Sequence, residues 1–190
     1  VVIYKEASAG YEDAPITILQ GHCDMVAEKT PDSDHDFTKD GLKLKVEGDY
    51  LTAEGTTLGG DDGIAVAYML AVLDDDTLKH PALECVITTD EEIGLLGAKA
   101  LDTSVLKGTH MINMDSEEEG YLWISCAGGL SGTSRIPVEY QEMEGVVTEV
   151  LIDGLNGGHS GAEIDKNRAN ANKLMGLFLY ELGQKTAYSI

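Results

Sequence analysis

The sequence has 190 residues, of which 43% are hydrophobic and 25% charged, a composition typical of a globular protein. Thirteen basic and thirty-four acidic side chains give a net charge of −21, which argues against binding to nucleic acid or an anionic membrane and favours cations. Three widely spaced cysteines and the lack of an apolar run of about 18 residues favour a cytoplasmic protein without a disulfide framework. Both ends of the sequence read like the interior of a domain, so we expect a fragment of a longer protein.

The hydrophobic pattern predicts strands that alternate with helices up to about residue 128. In chain order these are a strand at 16–19, a hairpin at 42–55, a helix at 61–75, a strand at 83–89, a helix at 91–102, and strands at 109–115 and 121–128. Residues 132–140 and 146–155 read as two more strands, and a helix is predicted from Asp165 to Glu181. We therefore expect an α/β layered domain over 1–128 and the first part of a smaller α+β domain over 129–190.

Candidate metal ligands stand directly after the predicted strands. His22, the pair Glu91–Glu92, and Asp115 each follow an apolar strand pattern. Because ligands of α/β sheets gather at the carboxyl ends of strands, these side chains are expected to converge. Asp24 lies two residues beyond His22, on the same side of an extended backbone, where it can orient the imidazole.

Each of these signals has an ordinary explanation when taken alone. A His-x-Asp pair is common at strand ends, Asp61 can cap a helix, Glu91 and Glu92 suit an acidic first turn, and Asp115 suits a turn. Together they supply one imidazole and several carboxylates, a donor set that suits zinc, manganese or cobalt. Two metal ions bridged by a carboxylate would offset the repulsion among Asp90, Glu91 and Glu92.

Four segments, "GHCDMV", "GTTLGGDDGIAVA", "TTDEEIGLLGA" and "NMDSEEEG", resemble the successive motifs of the dizinc aminopeptidase, carboxypeptidase and aminoacylase superfamily. Two more, "HDFTKDGLKL" and "GLNGGHSGAEIDKNRANANKL", are similar to its aminoacyl-histidine dipeptidases. The resemblance implies part of a zinc-peptidase-like catalytic domain, followed by the beginning of a lid domain that often pairs into a homodimer. It also implies a small peptide substrate and two Zn²⁺ ions, with Mn²⁺ or Co²⁺ as alternatives.

The resemblance assigns metal ligands residue by residue. His22 and Asp115 would bind the first metal, Glu92 the second, and Asp61 both. A cis peptide is implied between Asp61 and Asp62.

Three further residues take catalytic or positioning roles by the same resemblance. Asp24 would orient His22, and Glu91 would be the general base that takes a proton from the attacking water. His159 would polarise the scissile carbonyl from the lid domain. These roles amount to hydrolysis of dipeptides, with Xaa-His (carnosine-like) substrates expected.

Two departures from the family pattern leave alternatives open. Gly60-Asp61-Asp62 stands where the family has Ala-Asp-Asn, and the histidine that completes the second metal site near the end of family members has no counterpart among the five histidines here. An N-acyl amino acid deacylase or a tripeptidase would use the same centre. A catalytically inert, acidic, cation-binding or self-associating fragment is the alternative of another class.

Overall fold

The computed structural model describes residues 1–116, 118–126, 128–130, 132–158 and 163–190. Its contacts divide the chain into two compact units, Val1–Ala127 and Gly128–Ile190. No helix within these described ranges is long and apolar enough to cross a membrane.

The first unit contains a mixed sheet, a hairpin and two helices. Its elements are β1 (Val2–Lys5), β2 (Thr17–His22), β3 (Leu44–Glu47), β4 (Tyr50–Ala53), α1 (Gly60–Asp74), β5 (Leu83–Thr88), α2 (Leu96–Ala100), a 3₁₀ turn (Thr103–Val105) and β6 (His110–Asn113). The strand order of the sheet is β1-β5-β2-β6, and β3 pairs with β4 as the predicted hairpin. β2 runs parallel to both β5 and β6, whereas β1 is antiparallel to β5.

The register of the parallel strands places the carboxyl ends of β2, β5 and β6 at one edge of the sheet. His22 is paired with Thr88, and Gln20 is paired with Asn113. The segments that follow β2, β5 and β6 therefore leave the sheet side by side. This edge is where the candidate ligands of the sequence were expected.

The core lies between α1 and one face of the sheet. Ala65 and Met69 of α1 are fully buried against Cys85 and Ile87 of β5. Side chains of a strand alternate between faces, so the neighbouring residues of β5 point to the opposite face of the sheet. The helix thus fixes one face of the sheet.

Two expectations for the first unit need correction. No strand forms at 121–128 in the residues that the structure describes there; Leu122 and Ile124 are almost completely exposed. An apolar segment forms a strand only where a neighbouring strand supplies backbone partners, and these residues have no such neighbour within the described ranges. The helix after Glu91 is also shorter than predicted, because a turn occupies the residues before Leu96.

The second unit contains a 3₁₀ turn (Ile164–Lys166) and helix α3 (Ala171–Gly183). The helix begins later than predicted because Asn170 caps it, with its side chain accepting a hydrogen bond from the Lys173 backbone N–H. The strands predicted at 132–140 and 146–155 are wrong, since these described residues contain none. Val146 and Val147 are 94% and 98% exposed, and two strands without a covered apolar face are marginal in water.

Candidate metal centre

His22, the last residue of β2, is buried, and contacts of its two ring nitrogens orient the imidazole. Its Nδ1 lies 3.0 Å from the main-chain oxygen of Asp24 and 3.4 Å from the carboxylate Oδ1 of the same residue. Because a main-chain oxygen only accepts hydrogen bonds, Nδ1 carries the proton and Nε2 keeps its lone pair. Nε2 faces Asp61 Oδ1 at 3.3 Å and Glu91 Oε2 at 4.0 Å. The available nitrogen therefore points at carboxylates.

The start of α1 places Asp61 next to His22. The peptide between Asp61 and Asp62 is cis, as the resemblance implied, and both residues have non-helical backbone angles. The side chain of Asp61 is half exposed, whereas Asp62 is buried. Asp62 Oδ2 accepts a hydrogen bond from the His22 backbone N–H at 3.2 Å. The two aspartates thus differ in role, since one faces the centre and the other supports it.

The turn after β5 presents Glu91 and Glu92. Asp90 takes a left-handed backbone conformation (φ 55°), and the Glu91 carbonyl accepts hydrogen bonds from the N–H groups of Gly94 and Leu95. The Glu92 N–H donates to Asp24 Oδ2 at 3.2 Å, which ties this turn to the segment after β2. The turn therefore reaches the centre through backbone hydrogen bonds.

Gly97 allows the turn to fold back on the end of β5. A Cβ at residue 97 would lie 2.8 Å from the backbone nitrogen of Thr89 and closer still to its carbonyl oxygen. Only glycine fits this approach.

Two groups of side chains can each hold a metal ion. One contains His22, Asp61 and Asp115, and the other contains His22, Glu91 and Glu92; within each group the ligand atoms lie within 4.8 Å of one another. His22 is common to both groups, whereas Asp61 and Glu92 fall in different ones. An imidazole with a free Nε2 among carboxylate oxygens is a donor set that fits a divalent ion.

Burial and mutual charge shift the pKa values of the carboxylates that surround His22. Burial, reinforced by Asp115, raises the pKa of Glu91 although His22 opposes it. Burial also raises the pKa of Asp24, but hydrogen bonds from the backbone N–H groups of Glu91 and Glu92 outweigh it and leave the pKa lowered. These two carboxylates are therefore tuned in opposite directions, Glu91 towards holding a proton and Asp24 towards remaining charged.

The same forces act on His22 and Asp62. Burial lowers the pKa of His22, but the charge of Asp115 and the hydrogen bond that the protonated ring donates to Asp61 outweigh it, so the pKa is raised. Burial raises the pKa of Asp62, and the His22 N–H opposes it only in part. The centre thus contains one imidazole surrounded by several carboxylates, which give it an excess of negative charge.

The structure brings together six of the seven residues assigned from the sequence: His22, Asp24, Asp61, Glu91, Glu92 and Asp115. The seventh, His159, lies outside the described residues. Sequence reasoning missed the role of Asp62, which reads as part of a helix start. The signal available for it was the adjoining glycine of "GHCD", which leaves room for a close approach.

No protein-family model matches the chain. The cytosol non-specific dipeptidase of Escherichia coli (strain K12) is 44% identical over 181 residues, which are 94% of this chain and 37% of that protein. The crystal structure of aminoacylhistidine dipeptidase from Vibrio alginolyticus matches with a TM-score of 0.66 and 40% identity, over 94% of this chain and 37% of that one.

The chain is similar in sequence and in fold to part of an aminoacylhistidine dipeptidase. This similarity confirms the predicted α/β fold. A shorter match, 41% over 81 residues, joins it to the uncharacterized protein YqjE of Bacillus subtilis (strain 168). The chain spans 37% of the length of the two dipeptidases.

Proposed function

We propose that the chain contributes the metal centre of a dipeptidase, which hydrolyses small peptides and Xaa-His dipeptides in particular. The observation that carries this proposal is the convergence of His22, Asp61 and Asp115 to within 4.8 Å at the carboxyl edge of the sheet. The names of the two dipeptidase homologues support the reaction class.

The residues divide the work of binding and proton transfer. His22 and Asp115 would hold the first divalent ion, Glu92 would hold the second, and Asp61 would be a ligand of both. Two Zn²⁺ ions fit this donor set best, and Mn²⁺ or Co²⁺ fit it as well. Such ions, when bound, lower the pKa of a water molecule and polarise the peptide carbonyl.

Glu91 is the proton carrier of the reaction. Its Oε2 lies 4.0 Å from His22 Nε2, at the mouth of the centre, and its side chain is 29% exposed. Glu91 accepts a proton from the attacking water and returns it to the leaving amine. A raised pKa suits this exchange, since an effective base titrates near the working pH.

Several finer assignments rest on the resemblance and the homologues. The first unit is part of the catalytic domain, and a lid domain begins near residue 129. His159 belongs to this lid domain and stabilises the oxyanion. The lid domain also forms the contact of a homodimer. The protein acts in the cytosol, in keeping with the name of the E. coli relative.

The test is Zn²⁺ binding by the protein together with its hydrolysis of carnosine. Glu91→Gln is expected to bind Zn²⁺ within a factor of about three of wild type and to lose at least about 10²-fold in kcat. Asp115→Asn removes a charged ligand oxygen and is expected to weaken Zn²⁺ binding about tenfold or more. Glu118→Gln, which exchanges an exposed glutamate outside both metal-binding groups, is the matched control. Unchanged turnover in Glu91→Gln would refute its role as the base.

A further inference from the structure

A cavity of about 290 Å³ opens on the face of the sheet that α1 does not cover. Ile18 of β2 and Val86 of β5 form its floor; both alternate with the residues that pack against α1. Leu95, Ala98 and Leu101 wall it from the side of α2. Its volume is at the lower end of the range for ligand pockets, about 300–1,000 Å³, and suits one side chain rather than a large cofactor.

The cavity adjoins the candidate metal centre, because Glu91 and Asp115 belong to the walls of both. A peptide whose scissile carbonyl lies beside Glu91 therefore has one of its side chains at the opening of the cavity. The other wall residues carry no charge, and most are apolar.

A row of polar side chains crosses the cavity at the level of the strand ends. Asn113 Nδ2 donates to Gln20 Oε1 at 2.5 Å, Gln20 Nε2 donates to Thr88 Oγ1 at 3.4 Å, and Thr88 Oγ1 donates to the carbonyl of Gly21 at 3.3 Å. Each of these three side chains thus has a hydrogen-bond partner within the protein, across three adjacent strands. The apolar floor beyond the row favours an apolar ligand group over a charged one.

We propose that this cavity is the specificity pocket for an uncharged apolar side chain of the substrate, such as that of leucine or methionine. The proposal rests on the proposed dipeptidase function and deepens it. An acidic side chain is disfavoured because the pocket has an apolar floor and no basic wall residue that could pair with a carboxylate.

The test uses hydrolysis-resistant phosphinic analogues of Leu-Gly, Asp-Gly and Gly-Gly, with binding to the Zn²⁺-loaded chain measured by titration calorimetry. The leucyl analogue is expected to bind at least about tenfold more tightly than the glycyl one, and the aspartyl analogue more weakly than both. A leucyl analogue that binds no better than the aspartyl analogue would overturn the pocket.

Two variants test whether the preference for the leucyl analogue arises in this cavity. Ala98→Phe adds a ring at an exposed wall position, so it fills the cavity with little risk to folding. It should abolish the leucyl advantage while leaving Zn²⁺ affinity and glycyl binding within about twofold of wild type. Lys99→Met, a substitution at an adjacent exposed residue that does not line the cavity, should leave the advantage intact.

The outcomes separate the pocket from the function on which it rests. Suppose that the wild-type chain binds Zn²⁺ and the glycyl analogue, but that the Ala98→Phe variant still binds the leucyl analogue more tightly than the glycyl one. This result overturns the pocket and leaves the proposed function standing. A wild-type chain that binds neither Zn²⁺ nor the glycyl analogue overturns the proposed function, and the pocket with it.

Discussion

The Asp62 carboxylate accepts a hydrogen bond from the His22 backbone N–H, with 3.2 Å between Oδ2 and the nitrogen, across 40 positions of sequence. Both residues are 1% exposed. The contact requires glycine at position 21, because a Cβ there would lie 2.5 Å from Asp62 Oδ2 and 2.6 Å from the Cβ of Ala65. The start of α1 thus closes directly on the end of β2, and Asp61 comes to face His22.

Gly21→Ala is expected to destabilise the first unit by about 1–3 kcal/mol, since two buried groups must move to admit one methyl group. Cys85 is completely buried in that core, whereas Cys23 and Cys126 are exposed. In a Cys23→Ser, Cys126→Ser background, alkylation of Cys85 therefore reports opening of the core. When the reagent reacts slowly compared with reclosing of the core, Gly21→Ala should speed the alkylation of Cys85 roughly 5- to 150-fold.

Gly63→Ala is the matched control for this substitution. A Cβ at residue 63 meets nothing within 4 Å, and its backbone is not left-handed. Alanine there should leave Cys85 alkylation unchanged or slow it, because alanine favours a helix over glycine. Equal rates in the two alanine variants would show that the approach of Asp62 to Gly21 is not tight.

Asp36 provides a test by pH away from the metal centre. Its carboxylate accepts hydrogen bonds from Lys39 Nζ at 2.5 Å, from the Thr38 hydroxyl at 2.6 Å and from the Thr38 N–H at 3.0 Å. The bond from Lys39, followed by those from Thr38, lowers the pKa of Asp36 from 3.8 to about 2. Because the folded pKa is the lower one, the stabilisation is present above pH 3.8 and is lost as the pH falls through about 2.

The Thr38 amide resonance is therefore expected to titrate with a midpoint near pH 2 in wild type. Lys39→Met should move that midpoint upward, towards the ordinary value of an aspartate. Asp36→Asn should remove the titration step. A wild-type midpoint near 3.8 would contradict the hydrogen-bonded turn.

The positions of β2, β5, β6 and α1 in the first unit follow from local patterns, and so does the edge of the sheet at which the site lies. Parallel strands of similar length end together, so polar residues after "TILQGH" and "LECVIT" must meet. The helix at 60–74 and the hairpin around Gly48 were likewise predictable, because each is fixed by residues close in sequence.

The errors arise where structure depends on partners distant in sequence. The segment at 146–155 is rich in β-branched residues, which favour strands, yet no described residue offers Val146 or Val147 a pairing edge or a cover. The role of Asp62 was hidden for the same reason, since only the fold shows that it contacts the His22 backbone. Sequence patterns indicate which elements and contacts a residue can form, whereas its partners in the fold determine which of them it does form.

Glu84 is a buried carboxylate in the middle of the sheet, 2% exposed, and it holds the turn that leads into β6. Its oxygens accept hydrogen bonds from the backbone N–H groups of Lys107 and Gly108, each at 2.9 Å. Glu84→Leu removes both acceptors and leaves two part-buried donors without them. We expect this loss to cost about 1–3 kcal/mol for each donor.

Native-state amide exchange at Lys107 and Gly108 measures this loss directly. Glu84→Leu should speed exchange at both amides by at least about tenfold, whereas Glu84→Gln, which retains one acceptor oxygen, should have a smaller effect. Glu54→Gln, which changes an exposed glutamate beyond β4, should leave both rates unchanged. Equal exchange in Glu84→Leu and wild type would mean that water replaces the carboxylate, and that β6, which precedes Asp115, is placed by its pairing with β2 alone.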